Sequence, residues 1–210
     1  MAYKRELIVN NGSLTSYKKM LKVSDVCQLL DKSKYPATTT TNGVTFTNNG
    51  DGTITVSGKI ASSSAGRAVY SINEDNFIRI NPEHKYLGLT TEDVPSGAYI
   101  FVGGWQDSSI YHYAADVGYI HSKGFFYQTT NLNVKYISIA VGVYSNQTAS
   151  YNFNAQPQLF DLTEMYGAGN EPKTVEEFRT KFPNELYDYS PRCWVKSCKT
   201  ELVVNNGKTI

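Results

Sequence analysis

Two short runs, Val44-Thr45-Phe46-Thr47 and Thr53-Ile54-Thr55-Val56, flank Asn48-Asn49-Gly50-Asp51-Gly52. Each run alternates apolar and polar side chains, the period-2 pattern of a strand with one buried face. An Asn/Asp-Gly turn between such runs is the strongest short-range hairpin signal a sequence carries. It commits the surrounding chain to antiparallel sheet. The turn is also rich in oxygen ligands, as a calcium loop is. It has one carboxylate, Asp51, and lacks the acidic spacing of an EF-hand. A plain hairpin accounts for its residues.

The same grammar continues along residues 36–160. Strands are expected at Ala68–Ile72, Phe77–Ile80, Tyr86–Leu89, Ala98–Val102, Gly124–Tyr127, Tyr136–Val143 and Tyr151–Phe160. Asn81-Pro82, Pro95-Ser96-Gly97, Ser122-Lys123-Gly124 and Ser145-Asn146 supply turns between them. Short strands with polar turns predict a mainly β protein built as a β-sandwich. The near-continuous apolar run Tyr136–Val143 suits a central strand. Pro157 is tolerated only near an edge or strand end. A chain of 210 residues is long enough to hold such a core without staples.

The N-terminal part is mixed. Glu6–Val9 with Asn10-Asn11-Gly12 predicts a strand and a turn. Tyr17–Leu30 has partly helical spacing, and Ser24 is placed to cap a short helix. Lys4-Arg5-Glu6-Leu7-Ile8-Val9-Asn10-Asn11-Gly12 is echoed by Lys199-Thr200-Glu201-Leu202-Val203-Val204-Asn205-Asn206-Gly207. Either the two strands pair with each other or they occupy equivalent places in neighbouring subunits. Chain ends that share a sheet or an assembly interface are the expectation.

Gln158–Phe182 closes the β-rich region as a strand, a loop and a helix. Asp161 is placed to cap one helical turn, and Gly167-Ala168-Gly169-Asn170-Glu171-Pro172 breaks it. Thr174-Val175-Glu176-Glu177 is a capping box, in which the Thr174 hydroxyl and the Glu177 carboxylate satisfy each other's backbone donors. Val175, Phe178 and Phe182 share one helix face, and Pro183 ends the helix. A short amphipathic helix at about 174–182 should therefore pack on a sheet edge or open end.

Catalytic and metal chemistry finds little support. His84, His112 and His121 lie far apart, with no Gly-x-Ser-x-Gly elbow or zinc-ligand spacing. Glu74-Asp75 and Glu92-Asp93 are adjacent pairs, which a strand points to opposite faces, so they make poor acid/base partners. Glu176-Glu177 suits a helix N-terminus. Gly103-Gly104 and Gly167-Ala168-Gly169 lack the Lys-Ser/Thr ending of a phosphate loop. Cys27, Cys193 and Cys198 are odd in number, and no His/Cys cluster surrounds them, so packed thiols are expected rather than disulfides or zinc. The reading is of a non-enzyme with no cofactor and no metal.

The more suggestive stretch is Gly103–Tyr127, where aromatic rings interleave with amides and carboxylates. Rings stack on the apolar faces of sugars, and Tyr and Trp suit half-wet surfaces. Trp105, Gln106, Asp107, Tyr111 and Tyr113 are the candidate glycan-binding residues. Packing and subunit interfaces use the same residue types. A net charge of +1 without clustered basic residues gives no nucleic-acid footprint. No apolar run reaches the roughly 18 residues of a membrane span, and the N-terminus lacks a signal-peptide apolar stretch, so synthesis in a cytoplasm is expected.

Two stretches carry a likeness: Leu29–Gly58, and Gln156–Phe182 continued by Tyr187–Pro191. Together they resemble the start and end of a jelly-roll domain found in tail, baseplate and fibre proteins of phages and prophages of gut bacteria, whose fold is similar to carbohydrate-binding modules. The likeness spans most of residues 27–191 and identifies a module, not a ligand. It implies a virion protein exposed on the particle surface, as a homo-oligomer with a trimer favoured, contacting other virion proteins and bacterial surface or mucosal polysaccharide. Head fibre, decoration, tail and baseplate positions all suit the length. Residues 1–26 would then serve assembly or attachment, residues 27–191 form the module, and residues 192–210 carry the echoing strand.

Overall fold

The computed structural model describes residues 3–10, 13–22, 26–60, 66–72, 77–108, 111–128, 133–144, 150–184, 186–190 and 195–200, with backbone alone for 3–10, 13–22 and 195–200. In chain order the strands are β1 (Tyr3–Asn10), β2 (Ser13–Lys22), β3 (Thr39–Thr41), β4 (Val44–Asn48), β5 (Ile54–Gly58), β6 (Arg67–Ser71), β7 (Ile78–Arg79) and β8 (Tyr86–Leu89). They continue as β9 (Ala98–Trp105), β10 (Tyr113–Tyr119), β11 (Phe125–Tyr127), β12 (Tyr136–Tyr144), β13 (Tyr151–Ala155), β14 (Gln158–Asp161) and β15 (Val195–Thr200). Two short helices, α1 (Leu162–Tyr166) and α2 (Val175–Lys181), precede β15. The protein is mainly β, as its alternation and turns predict.

Strands β3 to β14 form three antiparallel sheets. The first has the order β10-β9-β12-β6, with β7 also on β12; the second is β13-β5-β4-β3; the third is β11-β8-β14. Val44, Phe46, Ile54 and Val56 of the second sheet meet Ile100, Val102, Ile137, Ile139, Val141 and Val143 of the first in one core. Tyr86 and Leu159 of the third sheet join the same cluster. The second and third sheets thus face the first together, giving a sandwich-like body.

The hairpin at Asn48–Gly52 is present, with β4 and β5 paired from Val44↔Gly58 to Asn48↔Ile54. Its polar side chains are spent mostly on the turn itself, although the Asn48 amide also donates to the Pro36 carbonyl at 3.0 Å. Asn48 Oδ1 accepts from the Gly50 N–H at 2.9 Å, and Asp51 Oδ1 accepts from both the Thr53 N–H at 2.9 Å and the Thr53 hydroxyl at 2.7 Å. Among the described residues no group of three or more His, Cys, Asp or Glu is placed to hold a metal.

Two expectations change, and one strand was not expected. Tyr151–Phe160 is not one strand but β13 and β14, separated at Gln156-Pro157; the first half pairs with β5 and the second with β8. Proline has no N–H to give the ladder, so the run changes partner there. Ser13–Lys22 is a strand paired with β1, not the start of a helix, while Ser24 lies outside the described residues. Tyr113–Tyr119 is a strand whose pairing with β9 shifts register twice, which erased the alternation that would have announced it.

The two chain ends share a sheet of order β1-β2-β15. The first echoing segment lies beside β2 as β1, and of the second only Lys199 and Thr200 are described, pairing with Lys18 and Tyr17 on the other edge. Residues 201–207 of the second copy lie outside the described residues. Cys27 is fully buried; Cys193 is outside the described residues, and Cys198 is described by its backbone alone.

Strand β8 is buried at all four positions because its two faces serve two cores. Tyr86 points into the sandwich, whereas Leu87 and Leu89 join Phe160, Leu162, Phe178 and Phe182 in a second cluster. The closing helix α2 therefore covers the outer face of β8 and β14, rather than a sheet edge or open end. Apolar residues on both faces of those strands leave a second surface to cover.

The helix signals work nearly as expected. The Thr174 hydroxyl accepts from the Glu177 N–H at 3.2 Å, but the Glu177 carboxylate reaches back to the Lys173 N–H at 2.6 Å, one residue beyond the cap. Asp161 caps α1 by accepting from the Glu164 N–H at 2.9 Å.

Glu171 fastens the loop between the helices. Its carboxylate accepts from the Thr163 hydroxyl at 2.7 Å, the Gly169 N–H at 2.9 Å and Lys85 Nζ at 3.2 Å. The Thr163 hydrogen bond, and with it Lys85, holds the carboxyl down at about 2 against an ordinary 4.5. A depressed carboxylate favours the folded state fully above its unfolded pKa, and that contribution fades as pH falls. Between pH 4.5 and 2 the wild type should therefore lose stability more steeply than Glu171→Gln, read from denaturant midpoints across that range. Parallel slopes would show that the carboxylate is not held this way.

Candidate functional site

The outward face of the first sheet is decided by alternation along β12 and β9. Ile137, Ile139, Val141 and Val143 point into the core, so Tyr136, Ser138, Ala140, Gly142 and Tyr144 point out. On β9, Ile100 and Val102 point in, leaving Tyr99, Phe101, Gly103 and Trp105 outside. The register sets Ser138 beside Gly103, Ala140 beside Phe101 and Gly142 beside Tyr99. Small residues along the middle of the face and aromatics around them produce a groove of about 560 Å³. Its walls include Phe77, Tyr99, Phe101, Trp105, Tyr113, Tyr119 and Tyr144, and Arg67 and Asp116 bring charge.

Two glycines let the rings lie flat on the sheet. A Cβ on Gly103 would sit 2.5 Å from the Trp105 ring, and one on Gly142 would sit 2.3 Å from the Tyr99 ring. Trp105 is gripped by Phe77, with ring centroids 4.8 Å apart, and by the edge of Tyr113 at 5.2 Å. Tyr99 lies 4.6 Å from Tyr144 and meets Tyr119 edge-on at 6.2 Å. Tyr113, Tyr119 and Tyr144 are each between 41% and 48% exposed, so these three stand as a wet aromatic rim over a dry floor.

The polar atoms of this wall are incompletely used. Trp105 Nε1 is buried and has no hydrogen-bond partner among the described residues, and the Tyr99 hydroxyl makes no well-formed hydrogen bond. Burial pushes the Tyr99 hydroxyl above the usual phenol range, and the neighbouring Arg67 guanidinium opposes that rise. Asp116 accepts from the Tyr113 hydroxyl. Buried donors without partners are uncommon and mark places where a further group would be welcome.

Of the five residues singled out from the sequence, Trp105 and Tyr113 line this groove. Gln106, Asp107 and Tyr111 sit instead on the turn between β9 and β10. There the Gln106 N–H donates to the His112 carbonyl at 3.0 Å, Asp107 lies 2.6 Å from His112 Nδ1, and Tyr111 is 85% exposed. Tyr99, Phe101, Tyr144 and Arg67 were missed. Part of a signal was present as large-in, small-out alternation in YISIAVGVY, where the outward Ser138, Ala140 and Gly142 mark a floor, whereas in AYIFVGGW the outward residues are mostly the rings themselves.

The remaining polar clusters are accounted for by folding. His84 Nδ1 lies 2.8 and 3.0 Å from the two Asp161 oxygens, and that carboxylate also caps α1. Asp93 accepts from the Ser122 N–H at 2.6 Å, and Glu74-Asp75 lies outside the described residues. A cleft of about 100 Å³ is flanked by Lys32 and Asp188, which pair with each other at 2.9 Å. Compared with protein-family models, curated proteins and solved structures, the chain matches none.

Proposed function

We propose that the protein is a structural component of a bacteriophage particle, a head-fibre, decoration, tail or baseplate subunit, whose sandwich is a jelly-roll module that binds host-surface glycans without cleaving them. The groove on the first sheet supports the glycan part of this reading. Its ring faces and half-exposed tyrosines offer what a sugar uses, an apolar platform with polar atoms at its edge. The resemblance of Leu29–Gly58 and Gln156–Pro191 to phage modules supports the virion part. A homotrimer displayed on the particle surface would multiply a weak single site by roughly 10²–10⁴ in avidity.

Glycan-array screening followed by isothermal titration tests the proposal. Trp105→Ala should weaken the best ligand by at least roughly thirtyfold, the scale of losing a central aromatic anchor. Absence of binding to any host polysaccharide would favour the purely structural alternative, in which the exposed rim and Phe126 on edge strand β11 are covered by neighbouring subunits. Electron microscopy of the particle would then place the subunit.

A further inference from the structure

Arg67 stands at one end of the groove. It is the register partner of the rim residue Tyr144 and adjoins the Tyr99 hydroxyl. Its side chain is exposed, and among the described residues no carboxylate forms an ion pair with it. The groove's own carboxylate, Asp116, already accepts from the Tyr113 hydroxyl. Beyond the crest formed by Tyr99, Tyr119 and Tyr144 lies a second depression of about 580 Å³ that shares those three tyrosines. It holds Lys123 and His121, and its carboxylate, Asp93, accepts from the Ser122 N–H at 2.6 Å. On each side of the crest, then, a cation stands with one carboxylate: Arg67 makes no ion pair with Asp116, and Lys123 acts on Asp93, which the Ser122 hydrogen bonds, helped by His121 and Lys123, hold below the usual carboxylate range.

Resting on the glycan reading above, we infer that the groove takes an acidic polysaccharide, a chain of sugars bearing carboxylates that crosses the tyrosine crest, with Arg67 holding one acid group and Lys123 another. The planar guanidinium fork fits a carboxylate through two parallel N–H···O bonds, which a neutral sugar cannot offer. The rings of Tyr119 and Tyr144 pack the sugar face between the two charges. Charge complementarity of this kind also makes binding sensitive to salt, because both cations are exposed.

The full chain is titrated calorimetrically with polygalacturonate, with the same polymer fully methyl-esterified, and with dextran and dextran sulfate. The expected result is binding of polygalacturonate, weakened by raising salt from roughly 0.05 to 0.5 M, and little binding of the ester. Arg67→Gln should weaken that binding roughly ten- to hundredfold, the scale of one charge-assisted hydrogen-bonded contact, and Lys123→Gln should weaken it as well. Circular dichroism should show both variants folded, since the Arg67 side chain is exposed and its backbone carbonyl keeps the Asn42 contact. Equal binding of acid and ester forms, or no effect of Arg67→Gln, overturns the acidic-ligand inference and leaves glycan binding standing. Binding of dextran sulfate alone overturns the assignment to carboxylates. No binding of any polymer in this panel overturns the inference, and no binding across the wider array as well overturns the glycan reading with it.

Discussion

Phe178→Ala should lower the free energy of unfolding by about 3–5 kcal/mol, the range for truncating a buried aromatic. The ring is fully buried, 4.8 Å from Phe160 and 5.4 Å from Phe182, in the cluster that α2 builds with Leu87 and Leu89. Helix α2 spans only Val175–Lys181, too short to persist in water without tertiary packing. Its Thr174 cap and flanking charges contribute typically about 1 kcal/mol each, so docking through Phe178 decides whether the helix forms. The loss extends beyond one cavity, because an undocked helix uncovers the outer face of β8 and β14. Urea unfolding should show a large fall in midpoint. Glu176→Gln, on the exposed side of the same helix, should move stability by no more than about 0.5 kcal/mol. Similar midpoints for the two variants would mean that the helix does not brace the sheet.

Gly142→Val should shut the groove and cost about 1–3 kcal/mol, as overpacking of a close-packed site does. The added Cβ alone would stand 2.3 Å from Tyr99 Cζ and 2.4 Å from its hydroxyl. The Tyr99 ring cannot yield freely, since Tyr144 at 4.6 Å and Tyr119 at 6.2 Å hold it and only 8% of the residue is exposed. It must swing away from the sheet and disturb the rim it shares with those two rings. Two readouts separate the effects. Denaturant unfolding gives the packing cost, and titration with the best ligand gives the damage to the groove. A Gly142→Val protein with unchanged stability and unchanged binding would show that Tyr99 does not lie on this glycine. The contrast with Phe178→Ala is informative, because that substitution lies in the second cluster and should leave binding to the folded protein intact.

Some of this molecule is written locally. The β4–β5 hairpin follows from alternation and from turn side chains, Asn48 Oδ1 and Asp51, that accept from backbone two residues on. The α2 helix likewise carries its own cap, apolar stripe and proline stop. Tyr86–Leu89 and Tyr136–Val143 were identifiable because buried strands are apolar whichever strands they pair with. Other features had no local signal. The register shifts of β10 broke its alternation, and Pro157 divided one apolar run between two sheets.

By itself, then, the amino-acid sequence determined the β class, the hairpin turns, the closing helix and the aromatic character of residues 103–127. The tertiary structure alone decided which face α2 covers and where the groove lies. Strand register brings Ser138, Ala140 and Gly142 beside Gly103, Phe101 and Tyr99, residues more than thirty positions apart in sequence. A floor of small side chains under a wall of rings is a property of that juxtaposition, because the pleat fixes which side each residue faces only once its partner strand is chosen.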